Sequence, residues 1–475
     1  AWNISFYYLA ANLDFAGRND GISGIPAISV GGIRLLGTGQ IYYLIWATVA
    51  VAAVLTGNLL NSRMGRAIRA LRGGALAAES FGIETSKIRI LAFVYAAALA
   101  AAAGWLYAHL QRTVNPTPFS LGASIDYLLM IVVGGAGYIA GAIAGSAIVL
   151  LIKDQLQNML PTLLGTQLNF EVVVFGAALV LILQYARDGF WPRVAAAIPI
   201  LGPALPEAPG KAEGLPGRKR QGIATPLVSV RDLSKTFGGL VAVGGVSFDI
   251  NRGEIAGLIG PNGAGKSTVF NLISGVLAPS GGKVVFDGLS IGGLPAHKIA
   301  RLGMARTFQH VKLVPDMTVI ENVALGAHLR GSAGFFPAAL RLERHEEAKL
   351  LAEAQRQIYR VGLHSVSQKP AATLPLGQQR LVEVARALCS NPVLLLLDEP
   401  AAGLRHLEKQ TLSALLHSLK EDGMTILLVE HDMDFVGGLA DRLIVMNFGS
   451  KLAEGKPQAV RENPSVVEAY LGSTA

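Results

Sequence analysis

The feature that most constrains this chain is a run of 20 residues, Ile41 to Leu60, that contains no charged side chain. In a helix, 20 residues at about 1.5 Å each cross a hydrocarbon core about 30 Å thick. A second run, Ile88 to Leu110, is almost as apolar, and its many small residues favour close helix packing in a membrane. The sequence therefore predicts an all-α polytopic membrane domain in the first half of the chain.

Weaker apolar segments raise the expected number of spans to about five plus a fragment. They are residues 123–138, 142–157, 168–186 and the partial span 1–16. The chain begins at Ala1 inside an apolar stretch, so we expect further spans to precede it. Glycines between residues 134 and 141 interrupt the pattern and predict a tight turn or a broken helix. Asp126 and Glu171 fall within or beside weaker spans, where they either line a polar path or lie at the interface.

Charge is distributed unevenly between the two halves. Residues 1–224 hold 16 Lys and Arg against 10 Asp and Glu, whereas residues 225–475 hold 25 against 23. Residues 61–72 carry four arginines and no acidic residue, which predicts a loop on the cytoplasmic side. The nearly balanced second half lacks the basic excess of a nucleic-acid-binding domain. We therefore expect membrane lipid, and no nucleic acid, among the partners.

A segment rich in Pro and Gly separates the two halves. Residues 196–224 show no periodic pattern, which predicts a linker between a membrane domain, 1–195, and a second domain, 225–475. The basic cluster at residues 218–220 either binds anionic lipid or is simply solvated.

The single cysteine, Cys389, rules out an internal disulfide, and its apolar surroundings predict that it is buried.

The second half contains a phosphate-binding pattern. Residues 260–268 read GPNGAGKST, which matches G-x-x-x-x-G-K-[ST], and they follow an apolar run of strand length. In such a loop the backbone N–H groups surround phosphate oxygens, Lys266 adds positive charge and the Ser267 hydroxyl is a ligand for Mg²⁺. The residues expected to bind nucleotide are Gly260, Pro261, Asn262, Gly263, Ala264, Gly265, Lys266, Ser267 and Thr268.

Two further strand-like runs end in residues suited to the same chemistry. Val393 to Leu397 precedes Asp398 and Glu399, and parallel strands place their functional residues at this carboxyl end. Asp398 suits a Mg²⁺ shell, and Glu399 suits acceptance of a proton from an attacking water. The run Thr425 to Val429 leads to His431, which is expected to contact the terminal phosphate. The pattern predicts an α/β P-loop NTPase domain.

Taken together, residues 226–475 resemble the ATPase domain of ABC transporters, whose motifs occur here in the same order. The resemblance implies ATP and Mg²⁺ as cofactors, with Glu399 as general base and His431 as the switch histidine. Gln309 corresponds to the Q-loop glutamine, which contacts the metal and senses the membrane partner. Phe237, beside two glycines, corresponds to the aromatic residue that stacks on adenine; its alternative role is core packing.

The signature segment departs from the family pattern L-S-G-G-Q. Residues 374–380 read LPLGQQR, so Pro375 stands where a serine hydroxyl is expected. Gly377 and Gln378 remain, and the helix that follows them is expected to present backbone N–H groups to phosphate. Arg405 occupies a position at which many members carry an acidic residue. Whether both composite ATP sites hydrolyse ATP is left open by these departures.

Several segments are similar to the importers of branched-chain amino acids. RTFQ at 306–309 and NPSVVEAYLG at 463–472 resemble their ATPase, whereas residues 65–72 and 77–83 resemble their permease. The resemblance implies an ATP-driven importer, multi-pass in the bacterial inner membrane, with its ATPase domain in the cytoplasm. It also implies a second permease and a second ATPase, or a self-dimer, and an extracytoplasmic substrate-binding protein.

Within this family the segment Arg72 to Lys87 is expected to form the coupling helix that docks on an ATPase, with Glu79 in either a structural or a coupling role. Three other functions remain open. They are import of urea or short amides, a nucleotide-binding regulatory half-transporter with weak turnover, and export. Export is disfavoured because the spans lack long cytoplasmic helical extensions.

Overall fold

The computed structural model describes residues 2–164 except 31 and 36, then 189–198, 215–217 and 226–471, with three two-residue pieces between 176 and 185. Two compact units are present: residues 1–57 with 93–205, and residues 58–92 with 206–475. Glu171, most of the expected span 168–186 and most of the linker, including its basic cluster, lie outside the described residues.

Helices dominate the described part of residues 2–197, as the apolar runs predict. The helices are α1 (Trp2–Asn12), α2 (Thr38–Leu60), α3 (Arg63–Ala70), α4 (Ala75–Ser80), α5 (Thr85–Gln111), α6 (Leu121–Gly134), α7 (Ile139–Leu164) and α8 (Trp191–Ala197). The strands are β1 (Ile22–Ser23), β2 (Ser29–Val30), β3 (Ile33–Arg34) and β4 (Thr113–Val114). Strand β1 pairs with β4 and β2 with β3, both antiparallel.

Within the described residues, three helices are long and apolar enough to cross a membrane, namely α2, α5 and α7. The expected span over 123–138 is wrong in extent, because α6 has only 14 residues and ends at Gly134. Gly135 and Gly137 take φ angles of 101° and 103°, which side chains disfavour and which break the helix. The interruption predicted here is therefore a turn between α6 and α7.

Helices α6 and α7 pack closely because glycines face the partner backbone. A Cβ atom on Gly145 would lie 2.4 Å from the Met130 carbonyl oxygen, so only glycine fits. Between the same helices, the Lys153 ammonium lies 2.7 Å from the Asp126 carboxylate. This ion pair gives Asp126 a partner within the helical domain, as a carboxylate in a membrane segment requires.

The second half alternates strands and helices. Its strands are β5 (Val228–Phe237), β6 (Leu240–Ile250), β7 (Ile255–Ile259), β8 (Gly281–Phe286), β9 (Leu289–Ser290), β10 (Met304–Arg306), β11 (Leu394–Asp398), β12 (Thr425–Val429), β13 (Arg442–Asn447) and β14 (Ser450–Gly455). Its helices are α9 (Lys266–Ile273), α10 (Ala296–Leu302), α11 (Val319–Leu325), α12 (Phe335–Ala339), α13 (Arg344–Arg360), α14 (Leu376–Cys389), α15 (His406–Glu421), α16 (Met433–Gly437), α17 (Pro457–Arg461) and α18 (Pro464–Leu471).

The core of this half is a six-stranded sheet in the order β10-β11-β12-β7-β13-β14. Its first five strands are parallel, and only β14 runs antiparallel. Every residue of β7, β11 and β12 is buried, which explains their uninterrupted apolar sequences. An antiparallel sheet in the order β6-β5-β8-β9 accompanies it. The predicted α/β domain is confirmed, and the adjacent carboxyl ends of β11, β12 and β7 share one edge.

Cys389 provides a test of this core. It is fully buried at the end of α14, in an apolar cluster with residues of α11 and α13, and burial raises the pKa of its thiol to about 12. We expect the folded chain to resist maleimide at neutral pH and to react with one equivalent in denaturant, measured by mass spectrometry. Rapid labelling of the native chain would contradict this burial.

Candidate functional site

The phosphate-binding loop lies between buried strand β7 and helix α9. Gly260, Gly263 and Gly265 have positive φ angles of 148°, 80° and 94°. Glycine is required at two of them by close approach, since a Cβ on Gly260 would lie 2.2 Å from the Met446 carbonyl oxygen, and one on Gly265 2.6 Å from that of Ala242. The loop is therefore shaped by backbone geometry that these glycines permit.

The loop forms one wall of a cavity of about 450 Å³. The sequence-predicted residues that line it are Asn262, Gly263, Ala264, Gly265, Lys266, Ser267, Thr268, Gln309 and Glu399. Leu240, Val241, Ala242, Phe448 and Gly449 complete the lining. The structure thus brings residues from five separate parts of the chain to one cavity, although Gly260 and Pro261 do not line it.

Lys266 is the first residue of α9 and is largely buried. Its ammonium donates hydrogen bonds to the carbonyl oxygens of Gly260 and Pro261, both at 2.8 Å. Burial lowers the pKa of this ammonium, while Glu399 and Asp398 oppose that change. The side chain is thus held inside the loop, where a phosphate would meet its charge.

Asp398 ends strand β11 and is held by a buried arginine. Arg306 lies between the rings of Phe270 and Phe308, with its guanidinium carbon 4.8 Å from each centroid. Its Nη2 lies 3.5 Å from the Asp398 carboxylate. Burial lowers the pKa of Arg306 to about 10. Burial also raises the pKa of the Asp398 carboxyl, and the positive charge of Arg306 partly offsets this rise. The arginine therefore both orients Asp398 and favours its charged form.

Glu399 follows Asp398 with a φ angle of 46°, a strained conformation for a residue with a side chain. Its backbone N–H donates to the Val429 carbonyl at 2.9 Å, which fixes it beside β12. The Gln309 amide donates to the Glu399 carboxylate at 3.2 Å. Gln309 and Glu399 are thus neighbours in the cavity, as their expected joint role requires.

The residues at this edge fit a magnesium ion. One carboxylate oxygen of Asp398, Oδ1, is buried without a hydrogen-bond partner among the described residues. The Ser267 hydroxyl and the Gln309 amide line the adjoining cavity, so all three side chains offer oxygen donors. Oxygen ligands, with few carboxylates, are what Mg²⁺ bound to a nucleotide takes from protein.

His431 follows β12, the strand next to β11, but its side chain is 57% exposed and does not line the cavity. The neighbouring Glu430 is buried; its carboxylate accepts from the Ala401 N–H at 2.7 Å and the His431 N–H at 3.3 Å. Burial raises the pKa of Glu430. The Glu430 carboxylate therefore connects Ala401, two residues after Glu399, to the backbone of His431.

Phe237 ends β5 and is 45% exposed, so the alternative role as a core residue is wrong. Its ring lies 5.2 Å from the Lys235 ammonium, and in the β5–β6 hairpin it pairs with Leu240, a residue that lines the cavity. Phe237 itself does not line it. Stacking on adenine remains a prediction.

Within the signature segment, neither Gly377 nor Gln378 lines this cavity. Pro375 occupies the N-cap of α14 and provides no side-chain cap. A Cβ on Gly377 would lie 2.3 Å from a carboxylate oxygen of Glu408, which also accepts from the Arg405 N–H. Gly377 and Arg405 are thus connected through one carboxylate at the start of α15.

A docking surface lies within the second unit, between residues 58–92 and the α/β domain. Arg66 forms a bidentate ion pair with Glu347, and Arg69 lies 2.6 Å from the Glu321 carboxylate. Arg63 donates to the His328 carbonyl at 2.6 Å. Burial opposes the charge of Arg66, but the Glu347 carboxylate outweighs it and raises the arginine pKa. These contacts define the docking arginines, Arg63, Arg66 and Arg69.

The segment expected to dock, Arg72 to Lys87, contains α4, which packs against α10. Phe81, just after α4, is buried beneath the Arg386 guanidinium, whose carbon lies 4.4 Å from its ring centroid. Glu79 accepts a hydrogen bond from the Thr85 hydroxyl at 2.6 Å, a contact within its own segment. This contact favours the structural role for Glu79.

Sequence reasoning missed the roles of two groups of arginines. The docking arginines were interpreted only as a cytoplasmic loop, although their spacing of three residues places them on neighbouring positions of a helix. Arg380 donates to the carbonyls of Phe308 and Gln309, at 2.9 and 2.5 Å, and so fixes the backbone beside the cavity. The sequence offered one signal for this role, since Arg380 lies three residues after Gly377 within the signature segment.

Comparison with known families agrees with this geometry. The model of the branched-chain amino acid transport system permease component matches residues 3–183, and the ABC transporter model matches 243–402. A third model, of the branched-chain amino acid ATP-binding cassette transporter, matches 450–475.

The chain is 42% identical over 253 residues to the high-affinity branched-chain amino acid transport ATP-binding protein BraF of Pseudomonas aeruginosa. That alignment covers 53% of this chain and 99% of BraF. The chain belongs to the branched-chain amino acid transport family of ABC transporters. Its second half is also 44% identical to LivG of Salmonella typhimurium, over 99% of that protein and 53% of this chain.

Among solved structures, the ADP conformation of an ATP-binding cassette of an ABC transporter aligns with 52% of this chain and 100% of its own, at 32% identity and a TM-score of 0.47. The ABC transporter family model and the curated relatives show that the second half of this transporter chain is an ABC ATPase domain, which binds ATP. The first half belongs to the permease family and contains the membrane-length helices.

Arg306 provides a test of the site's electrostatics. In Arg306→Gln the buried Asp398 loses its neighbouring cation, and breaking a buried ion pair costs about 3–5 kcal/mol. We expect a loss of that size in the unfolding free energy and a higher Mg²⁺ concentration for half-maximal ATP hydrolysis. Arg231→Gln, which breaks an exposed pair with Asp249, is the matched control and should change neither quantity appreciably. Equal effects of the two substitutions would contradict the assignment.

Proposed function

We propose that this chain imports branched-chain amino acids across the inner membrane of a bacterium at the expense of ATP. The observation that carries the proposal is that one polypeptide contains a permease-family region and an ATPase that aligns with 99% of the length of relatives named for this transport. Residues 1–195 are the multi-pass permease, 196–224 the linker and 225–475 the cytoplasmic ATPase.

In this proposal the nine residues Gly260–Thr268 bind the phosphates of ATP, and Phe237 stacks on its adenine. Lys266 neutralises charge on the terminal phosphates, and Ser267, Gln309 and Asp398 hold Mg²⁺, which withdraws charge from the phosphate oxygens. Glu399 accepts the proton of the attacking water, and the Gln309 amide orients the Glu399 carboxylate. His431 adds a donor to the developing charge.

Transport requires that hydrolysis move the permease. The docking arginines and Phe81 support a coupling role, because they belong to the segment between α2 and α5 and contact ATPase residues within one compact unit. Arg386, which covers Phe81, also donates to the Lys312 carbonyl at 2.7 Å, three residues beyond Gln309. A displacement of the Gln309 loop is therefore transmitted to residues that follow α2.

A complete transporter needs more than one such chain. Gly377 and Gln378 do not line their own domain's cavity, which supports a dimer in which each signature segment serves the partner's nucleotide. We propose a second permease and a second ATPase, supplied by another subunit or a second copy, and an extracytoplasmic binding protein that delivers substrate. Membrane lipid surrounds the permease.

Substrate and direction are tested by uptake into vesicles. Proteoliposomes containing the assembled transporter, with ATP on the ATPase side and binding protein on the other, should accumulate labelled leucine, isoleucine or valine in preference to urea. Accumulation of urea or acetamide alone would show that the substrates are urea or short amides and not branched-chain amino acids. ATP-dependent extrusion of substrate would contradict import.

The coupling role predicts a charge-swap result. Arg66→Glu should disrupt docking, because it places two carboxylates together, and lower leucine uptake per ATP hydrolysed at least several-fold. The double variant Arg66→Glu with Glu347→Arg restores opposite charges and should recover most of that ratio. Arg18→Glu, on an exposed pair remote from the docking residues in sequence, is the control. Failure of the double variant to recover, despite folding, would argue against the ion pair as the coupling contact.

A further inference from the structure

An apolar projection occurs in the ATPase domain around the short helix α12. Phe336, Leu340 and Leu342 lie within seven residues and are 77%, 58% and 74% exposed. Phe336 and Leu340 are four positions apart and so lie on one face. Three large apolar side chains at such exposure on a short segment are a mark of an interaction surface.

Both ends of this helix are held against residues that follow or end α2. The Asn58 side-chain amide donates to the Ala339 carbonyl at 3.0 Å, and the Arg63 guanidinium donates to the Ala333 carbonyl. Asn58, Arg63 and α12 all belong to the second unit. The apolar projection is therefore fixed beside the last turn of α2.

The position of that last turn follows from the length of α2. Its 23 residues, at about 1.5 Å each, span about 34 Å and slightly exceed a hydrocarbon core of about 30 Å. When α2 crosses a membrane, as its length and composition allow, Asn58, two residues before its end, lies where acyl chains meet headgroups. Leu340 directly follows the residue bonded to Asn58, so the projection reaches the same boundary.

Charge near the projection matches an anionic lipid surface. Arg341 and Arg344 are exposed beside Leu342. Three acidic side chains lie nearby: Glu343 is buried and interacts electrostatically with Arg341, Glu347 pairs with Arg66, and Glu346 accepts from the Ser332 and Ala333 N–H groups. Apolar side chains flanked by arginine are the composition of segments that lie in a membrane interface.

We propose that α12 and Leu342 form an interfacial anchor that inserts Phe336 and Leu340 among the lipids of the cytoplasmic leaflet. The occupant of this surface is anionic phospholipid, and the contact attaches the ATPase domain to the membrane in addition to the ion pairs of Arg66 and Arg69. The inference goes beyond the proposed import, because lipid contact does not depend on which substrate is carried.

The test uses the full chain in vesicles of phosphatidylethanolamine and phosphatidylglycerol. Phe336→Cys is labelled with bimane, and the buried Cys389 does not compete for the reagent. Phospholipid with a nitroxide near the headgroup end of its acyl chain should quench position 336 several-fold more than the control Tyr359→Cys. Tyr359 is 72% exposed near the far end of the adjacent helix α13.

Equal quenching at positions 336 and 359 would overturn the proposal. A second result would also overturn it: the label at position 336 is shielded from a water-soluble quencher but is not quenched by lipid nitroxide. In that case a protein subunit, and not lipid, would cover this position. In a second measurement, Phe336→Asp with Leu340→Asp should leave hydrolysis in detergent unchanged and weaken the response of hydrolysis to phosphatidylglycerol. Loss of leucine uptake with unchanged quenching would affect only the import proposal.

Discussion

The ion pairs of the docking arginines are the contacts on which the account of this transporter depends. Arg66 is almost completely buried, so its charge is tolerated only because the Glu347 carboxylate meets it in bidentate geometry. A buried pair of this kind adds little net stability, but breaking it is costly, which makes it a contact of defined geometry. Because both partners belong to one chain, their association has the high effective concentration of an intramolecular contact.

A second constraint is the strand order of the parallel sheet. With β12 between β11 and β7, the phosphate loop, the Asp398–Glu399 pair and the segment leading to His431 end at one edge. Two arginines hold residues at this edge: Arg306 contacts the Asp398 carboxylate, and Arg380 donates to the Gln309 carbonyl. The strained φ of Glu399 is sustained by these surroundings, as is usual where a backbone positions a functional group.

The features that sequence reasoning predicted are those with a local signature. Buried parallel strands appear as continuous apolar runs, the phosphate loop has a fixed glycine spacing, and the turn after Gly134 follows from clustered glycines. The docking contacts had no such signature, because Arg66 and Glu347 are separated by 281 residues. The full extent of α6 was overestimated because apolar sequence continues past Gly134 while the backbone at Gly135 does not remain helical. The sequence could not decide between the two roles of Phe237, because the exposure of its side chain depends on the geometry of the β5–β6 hairpin.

The central claim is that ATP bound at the Lys266 loop and cleaved with the help of Glu399 drives movement of substrate through the permease of the same chain. The most direct measurement compares Mg-ATP binding, hydrolysis and leucine accumulation in the parent, Glu399→Gln and Lys266→Ala. The account predicts that Glu399→Gln binds Mg-ATP but neither hydrolyses it nor accumulates leucine, and that Lys266→Ala binds it poorly and is also inactive. Leucine accumulation at the parent level in either variant would contradict the account.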